Sequence, residues 1–188
     1  MEETSSRSPA SVSMAGLRSF FQKQVAPAFG SLGLQERELI DYVVDLLARF
    51  ARTDQLYRIR DAQGRRIETI AEMLVELTRQ WEPGRPYSFD REFEIRRHCG
   101  DYALFMSGLF RLHVERRALL DYYLLQGRQA YRSVAELGRL AFSSDSRIFR
   151  ALADRFEHLS GALDYMRKVY LRPALRTGPY RGLLRDWE

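Results

Sequence analysis

The sequence predicts an all-α fold, a single-domain bundle of five to seven helices, and three stretches carry the prediction. Phe149, Leu152, Phe156, Leu159, Leu163, Met166 and Tyr170 recur at alternating spacings of three and four over three heptads, which draws one seam along a helix. Leu120, Tyr123, Gly127, Ala130, Val134, Leu137 and Ala141 repeat the pattern earlier in the chain. Ile67, Ile70, Leu74, Leu77 and Trp81 form a third stripe, closed by Pro83, Gly84 and Pro86. A chain of 188 residues with 45% apolar content is long enough to bury a core in one domain. The expected division is a disordered N-terminus over 1–15, a helical bundle over 16–172, and a basic aromatic tail over 173–188 docked on the bundle.

Taken in order, Leu17, Phe20, Phe21 and Val25 predict a short amphipathic helix that ends before Pro27. Gly30 and Gly33 mark a break. Leu39, Val43, Leu46 and Phe50, widened by Ile40, Val44 and Leu47, set a well-buried helix over about 35–52. The stretch 57–67 alternates Tyr57 and Ile59 with arginines around a turn at 61–64, so it reads as a small β-hairpin or an irregular basic loop. Ser88 caps the next helix, with Asp90 and Glu92 at its positive end. The Ser-Ser-Asp-Ser run over 143–146 caps the last long helix, and Pro173 stops it. No repeat in the solenoid range is visible.

The segment from Cys99 to Ala141 organises the rest. Tyr102, Phe105, Leu109 and Leu112 form a large apolar stripe, while Gly100, Ala103 and Ser107 form a small one at the same helical spacing. Gly in a helix interior costs about 1 kcal/mol against Ala, so Gly127 implies a closely approaching neighbour. Two patterns here, Leu104-Phe105-x-x-Gly108-x-Phe110 and Asp121-Tyr122-Tyr123-x-x-x-Gly127-x-x-Ala130-Tyr131, resemble those of a group of uncharacterised bacterial all-helical proteins with L-F-x-x-G-x-F and D-Y-Y-x-x-x-G-x-x-A-Y segments. The resemblance covers the middle third of the chain and implies a shared helical fold, with no activity attached.

The formal charge of +5 is concentrated at the C-terminal end. Arg167, Lys168, Arg172, Arg176, Arg181 and Arg185 stand against Asp186 and Glu188 there, six minus two, or +4. An excess of that size without a long basic face is a weak electrostatic footprint, so nucleic acid is not the indicated partner. Charges interrupt every apolar run well short of a membrane span, and the N-terminal residues do not resemble a signal peptide. Cys99 is the only cysteine, which fits a reducing bacterial cytoplasm.

The search for chemistry yields no catalytic motif. Di-iron bundles need Glu-x-x-His pairs, but Ile95, Phe110 and Arg155 stand three residues before His98, His113 and His158. Glu94 with His98 and Asp154 with His158 are four apart, a spacing that reads as surface ion pairs, so no metal site and no cofactor are expected. Cys99 follows His98 directly, and neighbours on a helix point apart, so an inert buried thiol is the expectation. No P-loop, G-x-G-x-x-G or G-x-S-x-G is present.

The tyrosines are the polar residues of most interest. Tyr122, Tyr123 and Tyr131, with Asp121 and Asp101, are the candidate lining of an interhelical ligand pocket. The competing account is hydrogen bonding in the core, where buried tyrosine hydroxyls need a partner that Asp101 or Asp121 supplies. The leading functional expectation is a non-catalytic cytosolic protein acting through its helical surfaces, as a homodimer across the last heptad or with a protein partner. The alternative is a bundle, or an enzyme, that binds a small molecule near Tyr122 and Tyr123. A third reading gives the tail a polyanion.

Overall fold

The computed structural model describes residues 13–84, 86–141 and 146–177. Among them the expected all-α fold stands. Seven segments have nine residues or more: α1 (Met14–Ser31), α2 (Arg37–Phe50), α4 (Ile70–Arg79), α5 (Phe89–Leu109), α7 (Leu120–Leu140), α8 (Ser146–Asp154) and α9 (Phe156–Met166). Three short pieces join them: α3 (Thr53–Leu56), α6 (Arg111–Arg116) and α10 (Arg172–Thr177). The stretch 57–67 forms no strand. It is a tight turn closed by one antiparallel bridge between Arg60 and Arg66, with the Asp61 carboxylate accepting the backbone N–H groups of Gln63 and Arg65.

The expected Ser88 cap is present, and α4 has a further cap that was not expected from the sequence. The Ser88 hydroxyl accepts the Arg91 N–H at the head of α5. Thr69 and Glu72 form a reciprocal capping box on α4. Apart from Ser146, the expected cap over 143–146 lies outside the described residues, as do residues 1–12 and 178–188.

α5 is the axis of the molecule. Eight consecutive residues, from His98 to Phe105, are buried, so this part of the helix has no solvent face. It packs against α7, α9, α4 and α2. The small residues make this possible. A Cβ added at Gly127 would stand 2.1 Å from the Phe156 ring and 2.7 Å from the Ala103 Cβ, which is why α7 carries glycine at its centre despite the cost in helix propensity. α5 runs straight through Gly100, where an added Cβ would meet the Tyr131 ring at 2.6 Å.

Three features differ from expectation, each for a packing reason. α1 continues through Pro27 to Ser31, because Ala28 and Phe29 beyond the proline are fully buried. That burial offsets the roughly 3 kcal/mol a mid-helix proline costs. The helix over 145–171 is broken at Arg155 into α8 and α9. Its seam nevertheless lies in the chain's own core, with Phe149, Leu152, Phe156, Leu159, Leu163 and Met166 at most 3% exposed. Finally, Pro173 does not end the helix. The turn before it, Arg167–Leu171, widens into a π-helix, and α10 follows. A proline ring collides with the carbonyl four residues back in a regular helix, and the wider turn relieves that collision. The first residues of the expected tail are thus helical, with Leu175 fully buried.

Candidate functional site

Of the five residues proposed from sequence, two meet. The Asp101 side chain is fully buried on α5, and its Oδ1 accepts the hydroxyls of Tyr131 from α7 at 2.8 Å and Tyr42 from α2 at 2.6 Å. Its Oδ2 accepts from Arg49, also of α2, at 2.9 Å. The Arg97 guanidinium lies over the Tyr42 and Phe149 rings, 5.7 and 5.8 Å from their centroids. Burial, with the Asp101 charge beside it, drives the Tyr42 and Tyr131 phenols well above their ordinary range, so both stay protonated as donors. Each carboxylate oxygen has its donor and a cation stands against the charge, which is how a buried ion is tolerated. The cluster ties α2, α5 and α7 together.

The other three residues do not join it. Asp121 is exposed in the first turn of α7. Tyr122 and Tyr123 are half-buried, their rings perpendicular and 6.0 Å apart, with Tyr123 against Tyr102 at 6.3 Å. Neither described cavity is lined by any of the five.

His98 and Cys99 are core residues. Burial pushes the Cys99 thiol up to about 12, an unreactive setting. Burial likewise pushes the His98 imidazole down to about 4, so it is neutral at pH 7. Its Nε2 lies 3.0 Å from the Leu56 carbonyl. A carbonyl only accepts, so Nε2 carries the proton, and this bond anchors α3 to α5.

That anchor forms one wall of a groove of about 700 Å³ that sequence reasoning missed. Leu56 and Tyr57 come from α3 and its exit, Phe105, Met106 and Leu109 from the last turns of α5, and Phe110, Leu112, His113 and Arg116 from α6 and the bend before it. The opposite wall is the π turn and α10, with Arg167, Leu171, Arg172 and Arg176. Its lining mixes apolar side chains with four arginines, and among the described residues no Asp or Glu lines it. Arg167 is held by Asp164 at 3.0 Å, and its buried Nε has no hydrogen-bond partner among the described residues. Asp164 is shared with Lys168 at 2.5 Å, so one carboxylate answers two cations. Arg116 and Arg172 pair with no carboxylate among the described residues. One signal of this site was visible in the sequence: the C-terminal cluster of positive charge, three of whose arginines are these.

A second, more open cavity of about 460 Å³ lies at the α8–α9 break, where Arg128 and Arg155 are mixed with Asp154 and Glu157. Among the described residues, no three His, Cys, Asp or Glu side chains gather closely enough to hold a metal ion, and no helix is long and apolar enough to cross a membrane. Comparison with known proteins adds no identity: no family model, curated protein or solved structure matches the chain.

Proposed function

We propose that this chain is a non-catalytic protein of the bacterial cytoplasm that binds a small molecule in the groove between the α5–α6 bend and the π turn. The observation that carries the reading is the groove itself, whose volume of about 700 Å³ and lining of apolar side chains with a few polar ones are within the range of small-molecule sites. The π turn in its wall adds weight, because such turns recur at functional sites. This is the small-molecule alternative moved to a different face, away from Tyr122 and Tyr123. The dimer expectation rested on the last heptad, and that face is occupied by the chain's own core.

The test is titration with Nile red, a neutral dye that brightens in apolar sites. Wild-type protein should bind it at one site. Met106→Trp and Leu112→Trp, which add bulk at two lining positions, should abolish binding while leaving the melting temperature nearly unchanged. Equal binding by wild type and both variants would overturn the proposal.

A protein partner is the second reading, favoured by Trp81. It is 70% exposed and tilted against exposed Tyr87 at 5.3 Å, in the turn between α4 and α5. Exposed aromatic pairs are typical interface anchors. Light scattering of wild type and Trp81→Ala checks it: an oligomer that the substitution dissociates supports a homodimer, and a monomer in both removes it.

A further inference from the structure

We infer that residues 56–80, the turn after α3 together with α4, form a flap that lifts off α5 as a unit while the rest of the bundle stays folded. What points to it is a concentration of unanswered polar groups on the buried side of this segment.

Apolar contact pins the flap through Ile59, Ile67, Ile70, Met73 and Leu77, all of them buried. Of the other helices, α4 packs chiefly against α5, so one seam decides whether it stays down. Glu76 and Gln80 stand one turn apart on the face of α4 that also carries Met73 and Leu77, and they are only 5% and 9% exposed. Neither the nitrogen nor the oxygen of the Gln80 carboxamide has a hydrogen-bond partner among the described residues. The Glu76 Oε2, 3.5 Å from Arg79 on its own helix, makes no hydrogen bond either. In the turn, the Arg58 Nε is buried in the same condition. The ion pairs that cross from the flap to α5 are long, 3.9 Å from Glu76 to Arg91 and 3.8 Å from Arg58 to Glu94. Closer contacts latch only the turn: Arg91 donates to the Arg60 carbonyl, and His98 donates to the Leu56 carbonyl at 3.0 Å.

A buried polar group left without a partner costs more than a made hydrogen bond contributes, and water answers it once the seam opens. Lifting the flap gives up apolar burial but hydrates Gln80, Glu76 and Arg58 together. No such return is available between α5 and α7, where Asp101 already has its donors. Segments with this balance open as cooperative units below the free energy of global unfolding. The turn and α4 move together because the Thr69–Glu72 capping box and the backbone bond from Ile67 to Ile59 join them. Leu56 and Tyr57 are a wall of the groove, so on the binding reading above, opening of the flap changes access to that site.

Amide hydrogen exchange of the ligand-free full chain, followed by NMR at increasing sub-denaturing urea, tests the flap. Amides of 73–79 should exchange about tenfold faster than those of 98–105 and with a weaker dependence on urea, and the Ile67 amide should follow α4. One rate and one urea dependence for α4 and α5 would mean that α4 leaves only when the whole molecule unfolds, and would overturn the flap. An Ile67 amide protected like α5 would overturn the unit. Gln80→Met replaces the unanswered carboxamide with an apolar side chain of similar size, and should slow exchange at 73–79 about threefold while leaving 98–105 unchanged. Equal or faster exchange at 73–79 in that variant would overturn the cause assigned to the opening. Nile red enters none of these measurements, so the flap and the groove stand or fall separately.

Discussion

The molecule holds two concentrations of polar chemistry, and they are opposites. Around Asp101 the polar groups satisfy one another: a buried carboxylate accepts from two phenols and the half-buried Arg49 within 2.9 Å. At the groove the lining charges among the described residues are of one sign, and two of them, Arg116 and Arg172, have no carboxylate partner among those residues. The first arrangement loses stability when any member is removed and has no room for a ligand. The second leaves Arg116 and Arg172 exposed at a groove of about 700 Å³. Polar residues drawn together are thus a poor guide to a binding site until one asks whether they already satisfy each other.

This contrast can be broken by substitution, and the largest effect is expected at Asp101. Asp101→Ala takes the acceptor from the buried Tyr131 hydroxyl and from half-buried Tyr42 and Arg49, and should cost about 3 kcal/mol in urea denaturation. A loss below about 1 kcal/mol would mean that the cluster does not hold the helices together.

Next comes pH. The folded His98 imidazole sits at about 4 against an ordinary 6.5, so between those values the unfolded chain takes up a proton that the folded chain refuses. The contribution is full above pH 6.5 and is lost as pH falls toward 4, about 3 kcal/mol in all. Wild-type stability should fall across that window, and His98→Gln should flatten the fall. Identical slopes in the two proteins would remove His98 from the account.

Gly127→Ala should follow at about 1–3 kcal/mol, since the new methyl group collides with Phe156 and Ala103. Thermal unfolding reads it, and a neutral result would show that α5 and α7 can move apart.

The smallest effect is the informative one. Arg116→Gln and Arg172→Gln should each change stability by no more than about 0.5 kcal/mol. A larger loss in denaturant would give these arginines a structural role and weaken the contrast.

Much of the fold was legible because it follows from periodicity. The three-four seams mark mostly buried residues, from Leu39 in α2 to Met166 in α9, while Trp81, Leu112 and Ala141 at the ends of their stripes are exposed. What the pattern could not report was whether a helix survives a local insult. Pro27 and Pro173 both read as stops. Burial of Phe29 carries α1 past the first, and the π turn carries the chain past the second. The break at Arg155 was hidden for the reverse reason, since the apolar spacing continues across it undisturbed. Of the site, the meeting of Asp101 with Tyr131 was visible as a need for hydrogen-bond partners. Its other partners, Tyr42 and Arg49, lie 59 and 52 residues away from Asp101, a separation that no local pattern bridges. The groove was hidden for the same reason. Its lining comes from three stretches, 56–57, 105–116 and 167–176, and only the fold brings them to one place.

The most direct test of the central claim is amide hydrogen exchange with and without saturating Nile red. Ligand-dependent protection should appear at 105–116 and 167–176 and be absent from 120–131. Protection centred on Tyr122, Tyr123 and Tyr131, with the groove segments unchanged, would contradict the account and return the binding site to the tyrosines.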